Sequence, residues 1–324
     1  MMQAFTCNLN PARIVFGQGT LAKVAEEIRG QGCVRALILS TPFQEGDAQA
    51  LAAQLGDLAA GVFSQAAMHT PVSVTQQAVE AYDRADADCV VALGGGSTIG
   101  LGKAIAYRKD CPQIVVATTY AGSEVTPILG QTEDGLKTTF RDTRVLPEVV
   151  IYDPDLTLGL PVAMSVTSGL NAMAHAVEAV YAQDRNPVSS LQAVEGVRAL
   201  RDALMVIVED PRDITARTQA LYGSWLCGNP RDHAAAYGGL QRARGRGGNP
   251  ASRRLVRRRS GVGAVGLRQT IGRASGAERS GPARGGPGQG RRSGHAKPLL
   301  EPAPGGTPGD PGTAATRLGG REAN

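Results

Sequence analysis

The sequence predicts an α/β N-terminal domain with a parallel sheet, an all-helical second domain that is incomplete, and a disordered Arg/Gly/Pro-rich tail. Three observations carry this. Over residues 1–155, short apolar runs alternate with amphipathic stretches at the spacing of a parallel sheet covered on both faces. Over 156–229, helical patterns follow one another with no strand between them. Over 230–324, the composition changes altogether: this segment holds 18 of the 34 Lys and Arg but only 5 of the 29 Asp and Glu, which leaves 16 basic and 24 acidic side chains in 1–229. The formal charge of +5 averages two unlike segments, so it implies no nucleic-acid surface on the folded part.

In chain order, Ile14-Val15-Phe16 reads as a strand turned by Gly17-Gln18-Gly19, and Thr20 then caps a helix running towards Arg29. Residues 35–40 form a second strand, ended by Thr41-Pro42, and an amphipathic segment follows from about Asp47 to Leu55. A third strand lies around Val62, and Pro71 opens a helix over 72–84. The β-branched run from Cys89 to Leu93 is a buried strand and 114–118 another, and the texture changes after Asp153-Pro154. Helices are then expected over 165–182, 189–208 and 215–227, rich in Ala, Leu and Val at three-to-four spacing.

The strand at 89–93 is the centre of this pattern, because Gly94-Gly95-Gly96-Ser97-Thr98 separates it from the helix that follows. Glycines let the backbone turn sharply and approach a bound group, and Ser97 or Thr98 can cap the helix while its first N–H groups face an anion. The same residues would also serve a tight strand-to-helix turn with nothing bound. The loop at 119–124 lies at the carboxyl end of the next strand, where α/β sheets bind their ligands.

The N-terminus lacks a basic start followed by an apolar run, and no stretch approaches the roughly 18 apolar residues of a membrane span, so a cytoplasmic protein is expected. Cys7, Cys33, Cys89, Cys111 and Cys227 are scattered and never form a Cys-x-x-Cys pair, which suggests small core residues and no disulfide framework or zinc site.

Four segments in this order are more specific than any alone: Gly94-Gly95-Gly96-Ser97; Thr118-Thr119-Tyr120-Ala121-Gly122-Ser123-Glu124-Val125-Thr126; Asp153-Pro154; and Ser168-Gly169-Leu170-Asn171-Ala172-Met173-Ala174-His175-Ala176-Val177-Glu178. Over about 1–228 the chain resembles the iron-containing alcohol dehydrogenase family, which shares its fold with dehydroquinate synthase and glycerol dehydrogenase. Within that family it is most similar to the maleylacetate reductase branch. The resemblance implies a dinucleotide-binding role for the α/β domain, with Gly94, Gly95, Gly96 and Ser97 on the pyrophosphate and Thr118, Thr119 and Ser123 near the ribose and nicotinamide. Lys137 stands where related enzymes place a basic residue on the nucleotide. The second strand ends in Ser40, Thr41 and Pro42, with no acid for a 2′-hydroxyl and no arginine for a 2′-phosphate, so NADH and NADPH both stay open.

Asn171, His175 and Glu178, at i, i+4 and i+7, share one helical face. The resemblance makes Asn171 and His175 the catalytic candidates. In metal-dependent relatives the first of these positions is an aspartate that holds a divalent ion together with histidines, two of them later in the chain. Here it is a neutral amide, and only His233 and His295 follow His175, so no metal is expected. The activity implied is NAD(P)H-dependent reduction of the carbon–carbon double bond of maleylacetate or chloromaleylacetate, a small dicarboxylate, to 3-oxoadipate in aromatic and chloroaromatic degradation. The alternatives are a metal-dependent alcohol or polyol dehydrogenase of the same fold, or an inactive truncated fragment with a basic tail. A homodimer is expected when the C-terminus is intact, with no membrane and no nucleic-acid partner.

Residues 230–324 read as the product of a GC-rich gene translated out of frame. They contain 22 of the 42 glycines and a single aromatic residue, Tyr237. Such a segment cannot bury enough apolar surface to offset chain entropy. The chain as written is accordingly expected to lack turnover and to be disordered beyond about Gly228.

Overall fold

The structure, a computed structural model, describes residue 5 and residues 12–230. The expectations placed on 230–324, apart from Pro230, lie outside the described residues.

Strands β1 (Arg13–Phe16), β2 (Ala36–Leu39), β3 (Ala59–Phe63), β4 (Cys89–Gly94), β5 (Gln113–Ala117) and β8 (Val149–Tyr152) form one sheet in the order β1-β8-β5-β4-β2-β3. Every pairing in it is parallel. The four inner strands are buried at every residue, which is why they read as unbroken apolar runs.

Side chains alternate between the two faces. Val91 and Leu93 join one cluster with Ile28 of helix α1 (Val24–Gly30) and Leu51 of α2 (Glu45–Leu55). Val90 joins a cluster on the other face with Ala78 of α3 (Val72–Arg84) and Ile105 of α4 (Gly96–Lys109).

Three helices follow the sheet: α5 (Val162–Val180), α6 (Pro187–Glu209) and α7 (Ile214–Gly228). They match the three helices expected there to within a few residues. Asn186 and Ser189 form a reciprocal capping box at the start of α6, and Asp213 accepts from the Ala216 N–H at the start of α7. Leu200 and Leu221 share one buried cluster with Val115, Ala117 and Val150 of the sheet. The α6–α7 pair is glycine-mediated: a Cβ on Gly223 would stand 2.8 Å from the Leu200 nitrogen, and one on Gly196 2.9 Å from the Cys227 nitrogen. Cys33, Cys89, Cys111 and Cys227 are buried free thiols, as small core residues should be.

Two local readings are corrected. The helix expected from Thr20 begins as a 3₁₀ turn over Thr20–Lys23, with Gly19 rather than Thr20 as its N-terminal cap. An antiparallel hairpin, β6 (Ile128–Glu133) and β7 (Leu136–Arg141), stands where no strands were expected. Asp134 and Gly135 both have positive φ, the backbone of a two-residue hairpin turn, so Asp-Gly had announced this element. No described helix is long and apolar enough to cross a membrane.

Candidate active site at the carboxyl ends of the strands

The chain moves from β2 outward to the edge strand β3, and from β4 the opposite way to β5. The carboxyl ends of β2 and β4 therefore flank the point where the winding reverses, the place at which such sheets open a crevice.

Three loops meet there. Gln44, after β2, donates from Nε2 to Thr118 Oγ1 at 3.2 Å, and the Thr118 N–H donates to the Gly94 carbonyl at 3.1 Å. Gly94 ends β4 with φ +156°, and a Cβ there would lie 2.9 Å from Thr98 Cβ and 3.1 Å from Gln44 Oε1. A Cβ on Gly95 would stand 2.6 Å from Thr119 Cγ2. Gly96 is different, since a Cβ there meets nothing within 4 Å. Gly94 and Gly95 thus let the loops interlock, while Gly96 faces open space.

Gly95, and not Ser97 or Thr98, occupies the N-cap position, with no side chain to cap the helix. The Ile99 N–H bonds the Gly95 carbonyl at 3.0 Å, so the N–H groups of Gly96, Ser97 and Thr98 precede the first intrahelical bond. Among the described residues, the oxygens Ser40 Oγ, Thr98 Oγ1 and Ser123 Oγ are buried without a hydrogen-bond partner. An open glycine, uncapped N–H groups and orphaned hydroxyls suit a polar, anionic ligand, and a dinucleotide fits them.

The 118–128 segment is gripped by two buried cations that the sequence reading did not single out. Lys103 of α4 is 2% exposed and its Nζ donates to the carbonyls of Ser123, Thr126 and Ile128. Arg217 of α7 is fully buried and donates to Tyr120 Oη at 3.1 Å, Ser165 Oγ at 2.9 Å, and the carbonyls of Pro211 and Leu160. The available signal was one charge inside an apolar helical pattern in each case. Glu124 of the same segment accepts at Oε1 from the phenol of Tyr152, at the end of β8, at 2.8 Å. Burial first, and then the charge of Glu124, push this phenol well above its ordinary range.

The Ser168 hydroxyl of α5 accepts from the Tyr120 N–H at 3.3 Å. His175, seven residues on, projects within about 20° of the Ser168 direction at about 100° per residue, and Asn171 lies about 60° from it. Both are on the side of α5 that meets the 118–124 loop. Asn171 is exposed, and His175 Nδ1 stands 3.3 Å from Glu178 Oε2. Lys137 is exposed on β7 opposite Thr132 and makes no hydrogen bond or ion pair among the described residues. Asp153 accepts from the N–H groups of Gly19, Leu21 and Asp155, which makes it a structural cap.

A doubly wound sheet, a glycine loop at its winding reversal and a helical region packed behind it define a dinucleotide-binding α/β fold. Residues 11–154 match the family described as iron-containing alcohol dehydrogenase, and residues 165–234 match the Fe-containing alcohol dehydrogenase family, C-terminal. The chain belongs to the iron-containing alcohol dehydrogenase family.

It is 69% identical over 227 residues to a maleylacetate reductase of Rhizobium sp. (strain MTP-10005), a match covering 70% of this chain and 65% of that protein. It is 58% identical over 219 residues to a maleylacetate reductase of Sphingobium indicum, covering 68% and 62%. The crystal structure of maleylacetate reductase from Agrobacterium tumefaciens superposes with a TM-score of 0.70 at 69% identity, over 71% of this chain and 66% of that one. The chain thus spans a little under two thirds of the length of the curated relatives it matches.

The family corrects the expectation that no metal is involved, because its description is iron-containing. The neutral charge of Asn171 was overread, since amide oxygens are ordinary ligands of hard divalent ions. The described residues nonetheless do not build a cage around His175. Among the described residues, only Cys33, Asp88 and Cys89 bring three His, Cys, Asp or Glu ligand atoms together, and they sit at the amino ends of the strands. Asn171 and His175 offer two donors only.

Proposed function

We propose that this chain carries the nucleotide-binding part and the first helices of an NAD(P)H-dependent oxidoreductase that reduces the carbon–carbon double bond of maleylacetate. The reading rests chiefly on the 69% identity with a maleylacetate reductase across the region that forms the three interlocked loops. The proposed division is a dinucleotide-binding domain over 1–155 and a helical substrate domain beginning at 156.

In this reading the reduced nicotinamide supplies the hydride, to a double bond conjugated with a ketone. The uncapped N–H groups of Gly96, Ser97 and Thr98 hold the pyrophosphate, and Gly96 leaves room for its approach. Gly94 and Gly95 keep the loops together, while Thr118, Thr119 and Ser123 take the ribose and nicotinamide end. Lys137 reaches the nucleotide from the hairpin. Negative charge develops on the ketone oxygen, so a donor is needed there. With Nδ1 fixed by Glu178, His175 supplies that donor from Nε2 in its imidazolium form, and Asn171 orients the substrate from the same side of α5. Ser40 at the end of β2 meets the ribose with a small neutral side chain, which admits NADH and NADPH alike. A cytoplasmic homodimer acting in aromatic catabolism completes the reading.

The test incubates the purified 324-residue protein, and a fusion of residues 1–228 to the remaining helices of a maleylacetate reductase, with NADH or NADPH and maleylacetate, then with simple alcohols and NAD in the presence of ferrous ion. Reduction of maleylacetate is expected from the fusion, and no turnover from the 324-residue chain. Oxidation of alcohols with no turnover of maleylacetate would replace this reading with that of an alcohol dehydrogenase.

A further inference from the structure

Helix α4 carries two features on one rigid rod. Its first turn holds the uncapped N–H groups of the glycine loop, and seven residues beyond Gly96, about 10 Å along the axis, stands Lys103. Nothing in an amphipathic helix calls for a buried lysine, since taking an ammonium out of water costs several kcal/mol unless it is fully hydrogen-bonded. Here it is 2% exposed, and four oxygens surround it: the carbonyls of Ser123 at 2.6 Å, Thr126 at 2.5 Å and Ile128 at 3.1 Å, and Thr126 Oγ1 at 3.0 Å. Thr126 Oγ1 also donates to the Ser123 carbonyl at 2.9 Å. Residues 121–127 form neither helix nor strand, so the Ser123 and Thr126 carbonyls have no ladder to join. The ammonium takes the place of a ladder and folds the segment around itself.

We propose that Lys103 is the positioning residue for the nicotinamide end of the site. Its ammonium fixes the 118–128 segment at a set distance from the N-terminus of its own helix, which makes α4 the spacer between the phosphate seat and the place of hydride transfer. This rests on the dinucleotide reading above. Lys103 touches no reacting atom; it acts through Ser123 and the turn before it.

The distinguishing measurement compares two ligands on the full chain: NADH, which needs both ends of the site, and ADP-ribose, which lacks the nicotinamide. In Lys103→Met, NADH should bind about tenfold more weakly, the scale of one charge-assisted hydrogen-bond set, while ADP-ribose affinity stays within about twofold. In Lys103→Ala, millimolar n-propylammonium should restore NADH affinity, because it can refill the space with a cation. Near-ultraviolet circular dichroism identifies folded variants, and Lys103→Arg, which keeps the charge, carries the same two-ligand comparison if Lys103→Met does not fold. Equal losses for both ligands, or no loss for either, would overturn the positioning role. A wild-type chain that binds neither ligand overturns the dinucleotide reading itself and this inference with it.

Discussion

Arg217 Nη1 donates to the phenol oxygen of Tyr120 across 97 positions of sequence, and both side chains are fully buried. The guanidinium faces neutral oxygens at all four of its bonds, so it acts as a multiple hydrogen-bond donor joining α7, the start of α5 and the loop after β5.

Tyr120→Phe keeps the ring and removes one acceptor from that guanidinium. It should destabilise the protein by about 1–3 kcal/mol, the cost of a buried donor left unsatisfied. Urea unfolding followed by circular dichroism checks this, and an unchanged midpoint would show that the bond contributes nothing.

The glycine loop should divide its labour by position. Gly95→Ala places a methyl against Thr119 and should lower the melting temperature, whereas Gly96→Ala meets open space in a helical first turn and should leave it unchanged or raise it. Gly96→Val should in turn weaken NADH binding in a protein that melts normally. Thermal melts paired with NADH titrations separate the two effects.

Asp153→Asn removes a carboxylate that accepts three backbone N–H groups and ties the turn before α1 to the end of β8. A loss of about 1–2 kcal/mol is expected, in the range of a lost helix cap, with dinucleotide affinity unchanged in the folded fraction. Parallel unfolding and binding curves test both halves of this.

Burial pushes the Cys111 thiol up to about 11 and the Cys227 thiol up to about 12, from an ordinary value of 9.0. A raised folded value favours the native state below the unfolded value, so this contribution is complete below about pH 9 and is lost as pH climbs towards 12. The melting temperature should therefore fall above pH 9, and Cys111→Ala should flatten that decline. Cys111 and Cys227 should resist alkylation at pH 8 in the native protein and react once the chain is unfolded.

Much of this architecture could be read from residues alone because its signals are local. Cys89 to Leu93 is an apolar run with glycines behind it, and α5 to α7 keep a helical period. The hairpin was missed although Asp134-Gly135 stood in plain sight, because β6 is mostly half-buried and β7 mostly exposed, and neither carries the apolar pattern that marked the other strands. Lys103 and Arg217 were invisible for a different reason. A sequence shows that a charge is present, but only tertiary packing decides whether it points to water or to a circle of carbonyls. At Gly95 the need for glycine was legible, but the neighbour that enforces it, Thr119, comes from another loop and was not.

The contact between Gly122 and Gly228 has a consequence for the order in which the molecule is made. A Cβ on Gly228 would lie 2.5 Å from the Gly122 carbonyl, so the turn after β5 is moulded against the end of α7, more than a hundred residues later in synthesis. While the ribosome is still building α6, the sheet can pair its strands, but the turn has no surface to settle on. The crevice is thus finished by the last described helix to emerge, and a nascent chain should acquire a stable sheet before it acquires affinity for its ligand.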